Sequence, residues 1–317
     1  MIPNNSYITV VGSIAYDDVI TTEGSRDNLF GGSATYFSIS ASNFSNVSIV
    51  GTVGKDFRES DINLLKSKNI DTSNIKKNNS GDTFRWKGDY KSNPEEPETI
   101  RTSLGVFEEF SPKLNEVQLK STHAFLANIS PDIQLELAQS LENNNVLVGL
   151  DTMNHWILEK KETLVEVIKK INVIFINKTE ASLISENSDI DISAKYILEY
   201  GPDLCIIKDG KIGSYMYTNN GEKFFCPTYN IDRLVDPTGA GDSFAGGFFG
   251  YLSNINNPQK EDFQEAMIYG STIASFTIEG FGIENLLNVE KEKINYRFNK
   301  IKSKVNLEKK WNMILKI

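Results

Sequence analysis

Residues 235–247 read Val235-Asp236-Pro237-Thr238-Gly239-Ala240-Gly241-Asp242-Ser243-Phe244-Ala245-Gly246-Gly247. Two glycines flank an alanine directly ahead of a segment that reads as a helix over about 240–253. The first amides of a helix have no partner inside it and lie at the positive end of its dipole. The amides of Gly239, Ala240, Gly241 and Asp242 therefore form an anion hole suited to phosphate, and small residues there let a ligand approach the backbone closely. Asp242 falls in the first turn, where a carboxylate complements the dipole. Beside an anion hole it is also well placed to take a proton from an attacking hydroxyl. The two together suit phosphoryl transfer, with the amides stabilising the moving group and Asp242 aligning the nucleophile. The chain carries neither G-x-x-x-x-G-K-[ST] nor G-x-G-x-x-G, so this is neither of the familiar phosphate and dinucleotide loops.

Working outward, the chain alternates strand and helix. Tyr7 to Gly12 and Val47 to Gly51 are short apolar, β-branched runs that read as buried strands. Ser33 to Asn43 reads as a closely packed helix after Gly31-Gly32, and Phe57 to Lys68 as a helix capped by Asp56. Strands are expected at 122–127, 146–150, 172–176 and 203–208, with helices at 131–143, 161–170 and 189–200 between them. Such alternation predicts an α/β fold with a mainly parallel central sheet and helices on both faces. Strands at 213–218 and 222–227 are joined by Asn219-Asn220-Gly221, a hairpin turn. A further helix is expected at 258–278. The 81–110 segment differs, because Thr83-Phe84-Arg85-Trp86 and Thr99 to Phe107 mix aromatic, β-branched and polar residues around Pro94 and Pro97. It reads as antiparallel strands with one wet face, a small β-sheet lid. The expectation is one domain over 1–317, its lid formed by roughly 14–31 and 81–110. The Lys- and Asn-rich tail from Glu290 reads as a solvated helix or loop.

Composition excludes several classes. With 33 Lys plus Arg against 42 Asp plus Glu among 317 residues, the net charge is −9, which argues against nucleic acid or an acidic membrane surface as partner. Two cysteines, Cys205 and Cys226, exclude a disulfide framework, and two histidines, His123 and His155, are too few for a multi-His metal centre. The opening residues lack the pattern of a signal peptide, and no run of eighteen apolar residues exists. A soluble, reduced, cytoplasmic protein is the expectation.

The string Asp-x-Thr-Gly-Ala-Gly-Asp at 236–242 resembles the C-terminal signature of the ribokinase-like, or PfkB, family of carbohydrate and nucleoside kinases. At residue frequencies of about one in fifteen, six fixed positions recur by chance on the order of once in ten million, so coincidence is a poor account. Other elements follow in the family's order over about residues 7 to 290. Gly31-Gly32 resembles its di-glycine element, which lets a bound sugar approach the backbone. Gly12-Ser13-Ile14 begins a stretch that in the family ends with an aspartate gripping substrate hydroxyls; Asp17 falls there, with Asp18 its neighbour. Gly51-Thr52-Val53-Gly54-Lys55-Asp56 resembles a further, mostly structural element. Asn177-Lys178-Thr179-Glu180 resembles the N-x-x-E motif, which implies that Asn177 and Glu180 organise Mg²⁺ through its waters near the nucleotide phosphates. The alternative there is a helix cap and a first-turn acid. Ile206 to Gly210 resembles the segment that lines the nucleotide site through backbone contacts, which assigns Lys208 and Gly210 to ATP along with Thr238, Gly239 and Gly241. Asp236 and Thr238 match positions where some members bind a monovalent cation such as K⁺, or they cap the turn. Ala274-Ser275-Phe276 and Gly280-Phe281-Gly282 sit where relatives build part of the adenine pocket.

The chain also departs from the pattern. Many sugar kinases carry Asn where Tyr36 stands, which suggests a differently shaped ligand with a ring to stack on. Asp151-Thr152-Met153-Asn154 resembles the D-x-N element of sugar-acid kinases, but His155-Trp156 replaces the arginine that follows. Asp151, Asn154, Asn128 at a strand end and Arg85 on the lid complete the candidate substrate contacts, and Trp86 and Arg101 share that lid. The resemblance implies an ATP- and Mg²⁺-dependent kinase acting on a hydroxyl of a small sugar or sugar-like molecule. A nucleoside kinase of the same fold is the alternative, as is a binding regulator that has lost turnover. The two-faced lid strands suggest a homodimer formed through the lid.

Overall fold

The computed structural model describes residues 7–314 other than Asn143, with 307–314 as helical backbone alone. Nine strands form the main sheet: β1 (Tyr7–Val11), β4 (Asn46–Val53), β5 (Ile70–Lys77), β8 (His123–Leu126), β9 (Leu147–Asp151), β10 (Val173–Asn177), β11 (Leu204–Asp209), β12 (Gly213–Thr218) and β13 (Lys223–Pro227). A second sheet contains β2 (Ala15–Thr21), β3 (Gly24–Gly31), β6 (Phe84–Asp89) and β7 (Glu98–Ser103). The main sheet runs β13-β12-β11-β10-β9-β8-β1-β4-β5 and is parallel from β11 through β5. Strands β12 and β13 add an antiparallel hairpin at one edge.

Why the parallel strands read as apolar runs is visible in β10. Val173 and Phe175 enter one core cluster, while Ile174 and Ile176 enter another. The strand's period of two sends successive side chains to opposite faces, and both faces are covered. One face is packed by α1 (Ser33–Ala41), with α2 (Glu59–Ser67) beside β5. The other carries α4 (Pro131–Leu141), α6 (Lys161–Ile168), α7 (Lys178–Ser185) and α8 (Ile190–Leu198), after the short α3 (Glu116–Leu119) and α5 (Asn154–Glu159). The α1 face also holds α9 (Ala240–Leu252), α10 (Lys260–Thr277), α11 (Glu284–Leu287) and α12 (Lys291–Ile314). Gly246 lies against the backbone of Phe37 and Gly250 against that of Ala41, so α9 and α1 approach more closely than larger side chains would permit.

Chain order reverses between β1 and β8: β4 and β5 build outward on one side, β8 to β11 on the other. Ligands of open α/β sheets bind outside the carboxyl ends of the strands at such a reversal. Segments leaving β1, β8, β9, β10 and β11 all emerge there.

The small sheet pairs β2 with β3 and β6 with β7 antiparallel, but β2 and β6 run parallel. The strand expected over Thr99 to Phe107 ends at Ser103, and Gly105–Glu109 is a 3-10 turn. Asp56 does not cap α2, whose N-cap is Arg58. Its Oδ1 instead accepts from the Thr83 amide and hydroxyl, both at 2.7 Å, and its Oδ2 pairs with Arg85 at 2.8 Å. Nor is the tail simply solvated: Ile294, Phe298, Ile301 and Val305 are buried at helical spacing along α12. Among the described residues, no helix is long and apolar enough to cross a membrane.

Candidate active site

The turn before α9 is held from both sides. Asp236 is buried, and its Oδ1 accepts from the Thr238 amide while its Oδ2 accepts from the Gly282 amide, both at 2.9 Å. This carboxylate therefore fixes the turn and ties the 280–282 loop to it. Gly239 is the N-cap of α9 and lies in the left-handed region at φ +73°. A Cβ there would also stand 2.3 Å from the Tyr36 ring, so both backbone and packing require glycine. A Cβ on Gly241 would meet only the tip of a side chain, Lys208 Nζ, at 2.8 Å. Asp242 opens the helix with its Oδ1 buried and without a hydrogen-bond partner. Burial first, then the Asp151 charge, push its carboxyl well above the ordinary range, against the pull of Lys208.

Three parallel strands deliver the groups around Lys208. Asp151 is the last residue of β9, Asn177 the last of β10, and the β10–β11 register sets Asn177 beside Lys208. Lys208 Nζ lies 3.3 Å from Asp151 Oδ1, and their side chains are 18% and 12% exposed. Asn177 and Glu180 form a capping box at α7: Glu180 N donates to Asn177 Oδ1 at 2.8 Å, and Asn177 N donates to Glu180 Oε2 at 2.7 Å. Burial raises the Glu180 carboxyl to about 8 despite Lys208, with Asp151 and Glu96 adding to the rise. Lys208 resists deprotonation because Asp151, Glu180 and Asp242 together outweigh the cost of its burial.

Acceptor-side candidates sit where β1 meets α1. Ser33 N donates to Ser13 Oγ at 3.0 Å, Ser13 N to Ser33 Oγ at 3.2 Å, and Ala34 N to the Ser13 carbonyl at 3.0 Å. This clamp presses the di-glycine turn onto β2. A Cβ on Gly31 would stand 2.1 Å from Asp17 Oδ2, and one on Gly32, at φ +93°, would stand 2.5 Å from the Ser13 carbonyl. Asp17 is 4% exposed. Burial raises its carboxyl to about 7, with the Gly32 amide opposing and the Asp236 and Asp18 charges adding. Asp18 is turned elsewhere: it accepts from the Asn28 amide and faces Arg101. Tyr36 is buried with its ring against Gly239, so it offers no open face for stacking. Its hydroxyl has no hydrogen-bond partner among the described residues, and Asp17, Asp236 and Asp242 all raise its pKa after burial.

The remaining sequence candidates lie further out. Arg85 is engaged with Asp56, Asn28 and the face of Tyr16, within the small sheet and its support. Asn128 Oδ1 accepts from Trp156 Nε1 at 3.0 Å. Asn154 Nδ2 donates to Glu96 Oε1 at 2.9 Å. Gly210 is exposed, at φ +51°, with the Glu95 carboxylate where its Cβ would stand. Two features escaped the sequence reading. Tyr90, at the end of β6, accepts a bond from Thr238 Oγ1 at 3.2 Å, linking the small sheet to the α9 turn across the cleft. Glu95 and Glu96 reach from the β6–β7 connection to Gly210 and Asn154. An acidic pair bracketed by Pro94 and Pro97 was a visible signal, whereas nothing local marks Tyr90.

Comparisons with known proteins find relatives of both the sequence and the fold. The family model for the pfkB family carbohydrate kinase matches residues 4–289. The cytidine kinase of Thermococcus kodakarensis is 27% identical over 244 residues, spanning 76% of this chain and 86% of that protein. The nucleoside kinase of Methanocaldococcus jannaschii is 27% identical over 297 residues, 88% of this chain and 93% of its own. Its crystal structure superposes with a TM-score of 0.75 over 93% of this chain and 98% of that one. Ribokinase of Arabidopsis thaliana, solved with ribose and ATP, shares the fold at 16% identity, with a TM-score of 0.75 over 93% of this chain and 99% of that one.

Proposed function

The chain belongs to the pfkB family of carbohydrate kinases, and from that premise we propose that it transfers the terminal phosphoryl group of ATP to a hydroxyl of a small sugar or sugar-like molecule, with Asp242 as proton acceptor. The observation that carries this reading is Asp242 itself: a buried carboxylate oxygen without a partner, in the first turn of α9, beside the open amides of Gly239–Gly241. An acceptor hydroxyl gives its proton to Asp242 as its oxygen bonds to phosphorus, and the bond to the bridging oxygen breaks with the electron pair leaving on ADP. The α9 amides hold the phosphoryl group throughout. Asp17, pressed against Gly31 and Gly32, grips acceptor hydroxyls.

Glu180 and Asn177 are the residues that would hold Mg²⁺. A buried carboxyl pushed up to about 8 is poorly compensated, and a cation that keeps most of its waters suits one such ligand beside the phosphates. Mg²⁺ would supply charge neutralisation on the phosphate oxygens. Asp236 already accepts two amides, so its cap explains it without K⁺. The whole chain would act as one kinase domain, with segments 14–31 and 81–110 closing over the cleft to exclude water. The lid sheet would also dimerise: β7 is exposed along its length, with Ile100 half exposed. Light scattering at micromolar protein tests this, and a monomer would reject it.

A nucleoside acceptor is the second reading, favoured by the two relatives named as cytidine and nucleoside kinases. One screen separates the readings: ADP release with Mg-ATP against ribose, fructose, 2-keto-3-deoxygluconate, inositol and the common nucleosides, with Asp242→Asn alongside. An acceptor-dependent signal that falls by roughly 10² or more in Asp242→Asn is expected. Unchanged turnover in the variant removes Asp242 from its role, and a wild type that binds no nucleotide rejects the kinase reading.

A further inference from the structure

A buried cation rarely stands among three carboxylates without a task, and the side chain of Lys208 has none in the scheme above. The family resemblance assigned its segment to the nucleotide through backbone contacts. The structure instead sends the ammonium group to the mouth of the anion hole. Its Nζ lies 3.3 Å from Asp151 Oδ1 and occupies the space against Gly241 that any β-carbon would contest at 2.8 Å. Gly241 is the second residue of α9, so the ammonium sits beside the free amides of the helix's first turn. Asp242, with its unpartnered oxygen, is the next residue.

Resting on the kinase reading, we propose that Lys208 is the cationic arm of the anion hole: held in place by Asp151, it binds the terminal phosphate of the nucleoside triphosphate and stays with the phosphoryl group as it moves to the acceptor. Amides alone offer only partial charges, whereas an ammonium gives a full charge and three donors. Asp151 aims the lysine and contacts no phosphate; it is a positioning residue. The lysine gives up no proton in the step, and the three carboxylates around it keep it charged. Gly241 follows from the same geometry, because a side chain there would push the ammonium off the phosphate.

The competing account is that Lys208 only neutralises Asp151 and Glu180. The test is calorimetric and needs no acceptor. Full-length wild type, Lys208→Met and Lys208→Arg are titrated with Mg-ADP and with Mg-β,γ-imido-ATP. Wild type should bind the triphosphate about 10-fold more tightly than the diphosphate. Lys208→Met should bring that ratio to about one while the affinity for ADP changes less than about threefold, and Lys208→Arg should keep part of it. Should the methionine variant fold poorly, the Lys208→Met/Asp151→Asn pair removes both charges together and carries the same comparison. A triphosphate preference retained without Lys208, or absent from wild type, overturns this inference alone. A wild type that binds neither nucleotide overturns the kinase reading beneath it.

Discussion

Two ends of one cleft treat buried carboxylates differently. At the carboxyl ends of β9–β11, Asp151, Glu180 and Asp242 surround an ammonium group. Asp17, where β1 meets α1, and Asp236, in the turn before α9, are also deeply buried, but amides from Gly32, Thr238 and Gly282 face them, and among the described residues neither forms an ion pair. Burial raises carboxyls at both ends, Asp17 to about 7 and Glu180 to about 8, so the difference lies in the partner: amides, each offering a fraction of a charge, against one full cationic charge. On the kinase reading, the first end would take the multiply charged nucleotide and the second neutral hydroxyls, which a carboxyl can bind in either protonation state.

The sharpest way to break this division is Asp17→Asn. Above about pH 7, where Asp17 is ionised, hydrogen bonds to its charge contribute about 1.5–3 kcal/mol, so kcat/KM for the acceptor should there fall about 10- to 100-fold. Mg-ATP affinity, measured by calorimetry, should stay within about twofold. A matching loss of nucleotide affinity would mean that the two ends are one site.

Next in size is a contrast within a single turn. Gly239→Ala forces a side chain into the left-handed region and against the Tyr36 ring, costing about 1–3 kcal/mol in backbone strain before the clash is counted. It should lower Tm by several degrees. Gly241→Ala meets only the flexible tip of Lys208 and should fold normally, yet lose about 10-fold in kcat as the ammonium is displaced. Equal Tm losses in both variants would contradict the contrast.

How much of this was legible follows the same line. Gly239, Gly241 and Asp242 could be read as a helix start because a cap and its first turn are written in consecutive residues. The parallel strands could be read because burial on both faces leaves unbroken apolar runs, as in Val173-Ile174-Phe175-Ile176. Strand β5 could not: it is the sheet's outer parallel strand, and Ile70-Asp71-Thr72-Ser73-Asn74-Ile75-Lys76-Lys77 shows no run. The 14–31 segment was placed in the lid without its two strands being read, since β3 is exposed over Gly24–Asn28 and carries Asp27 and Asn28. Lys208 was read for its backbone because nothing local says that Asp151, 57 residues earlier, lies beside it. Tyr36 was misread for want of Gly239, whose contact covers the ring. Pairs made across the fold leave no periodic mark.

A smaller effect is the pH dependence of stability. Asp17 unfolded ionises near 4, and folded near 7, so between those values the native state holds a proton that the unfolded chain has released. Stability should therefore fall as pH rises through that window, by at most about 1.4 kcal/mol per pH unit for this group. Glu180, raised to about 8, extends the same trend upward. Denaturant melts between pH 5 and 8 should show a shallower slope in Asp17→Asn below pH 7, and in Glu180→Gln up to pH 8. Turnover should run the other way, rising with pH as Asp242 becomes able to accept a proton. Slopes identical to wild type in both variants would show that neither carboxyl is protonated in the native state.

The smallest effect decides what the second end is for. Tyr36 buries a hydroxyl that no described group satisfies, close to Asp17, Asp236 and Asp242. A buried, unmatched polar group costs about 1–3 kcal/mol, so Tyr36→Phe should raise Tm by about 2 °C or more. A protein keeps such a flaw when a ligand repairs it. Phenylalanine should therefore also raise the acceptor KM about threefold to tenfold while leaving kcat and the KM for ATP nearly unchanged. A stabilised variant with an unaltered acceptor KM would make the hydroxyl a packing defect and confine acceptor recognition to Asp17 and the di-glycine turn. A destabilised variant would mean that the hydroxyl has a partner within the fold, and the contrast between the two ends would lose its clearest unsatisfied group.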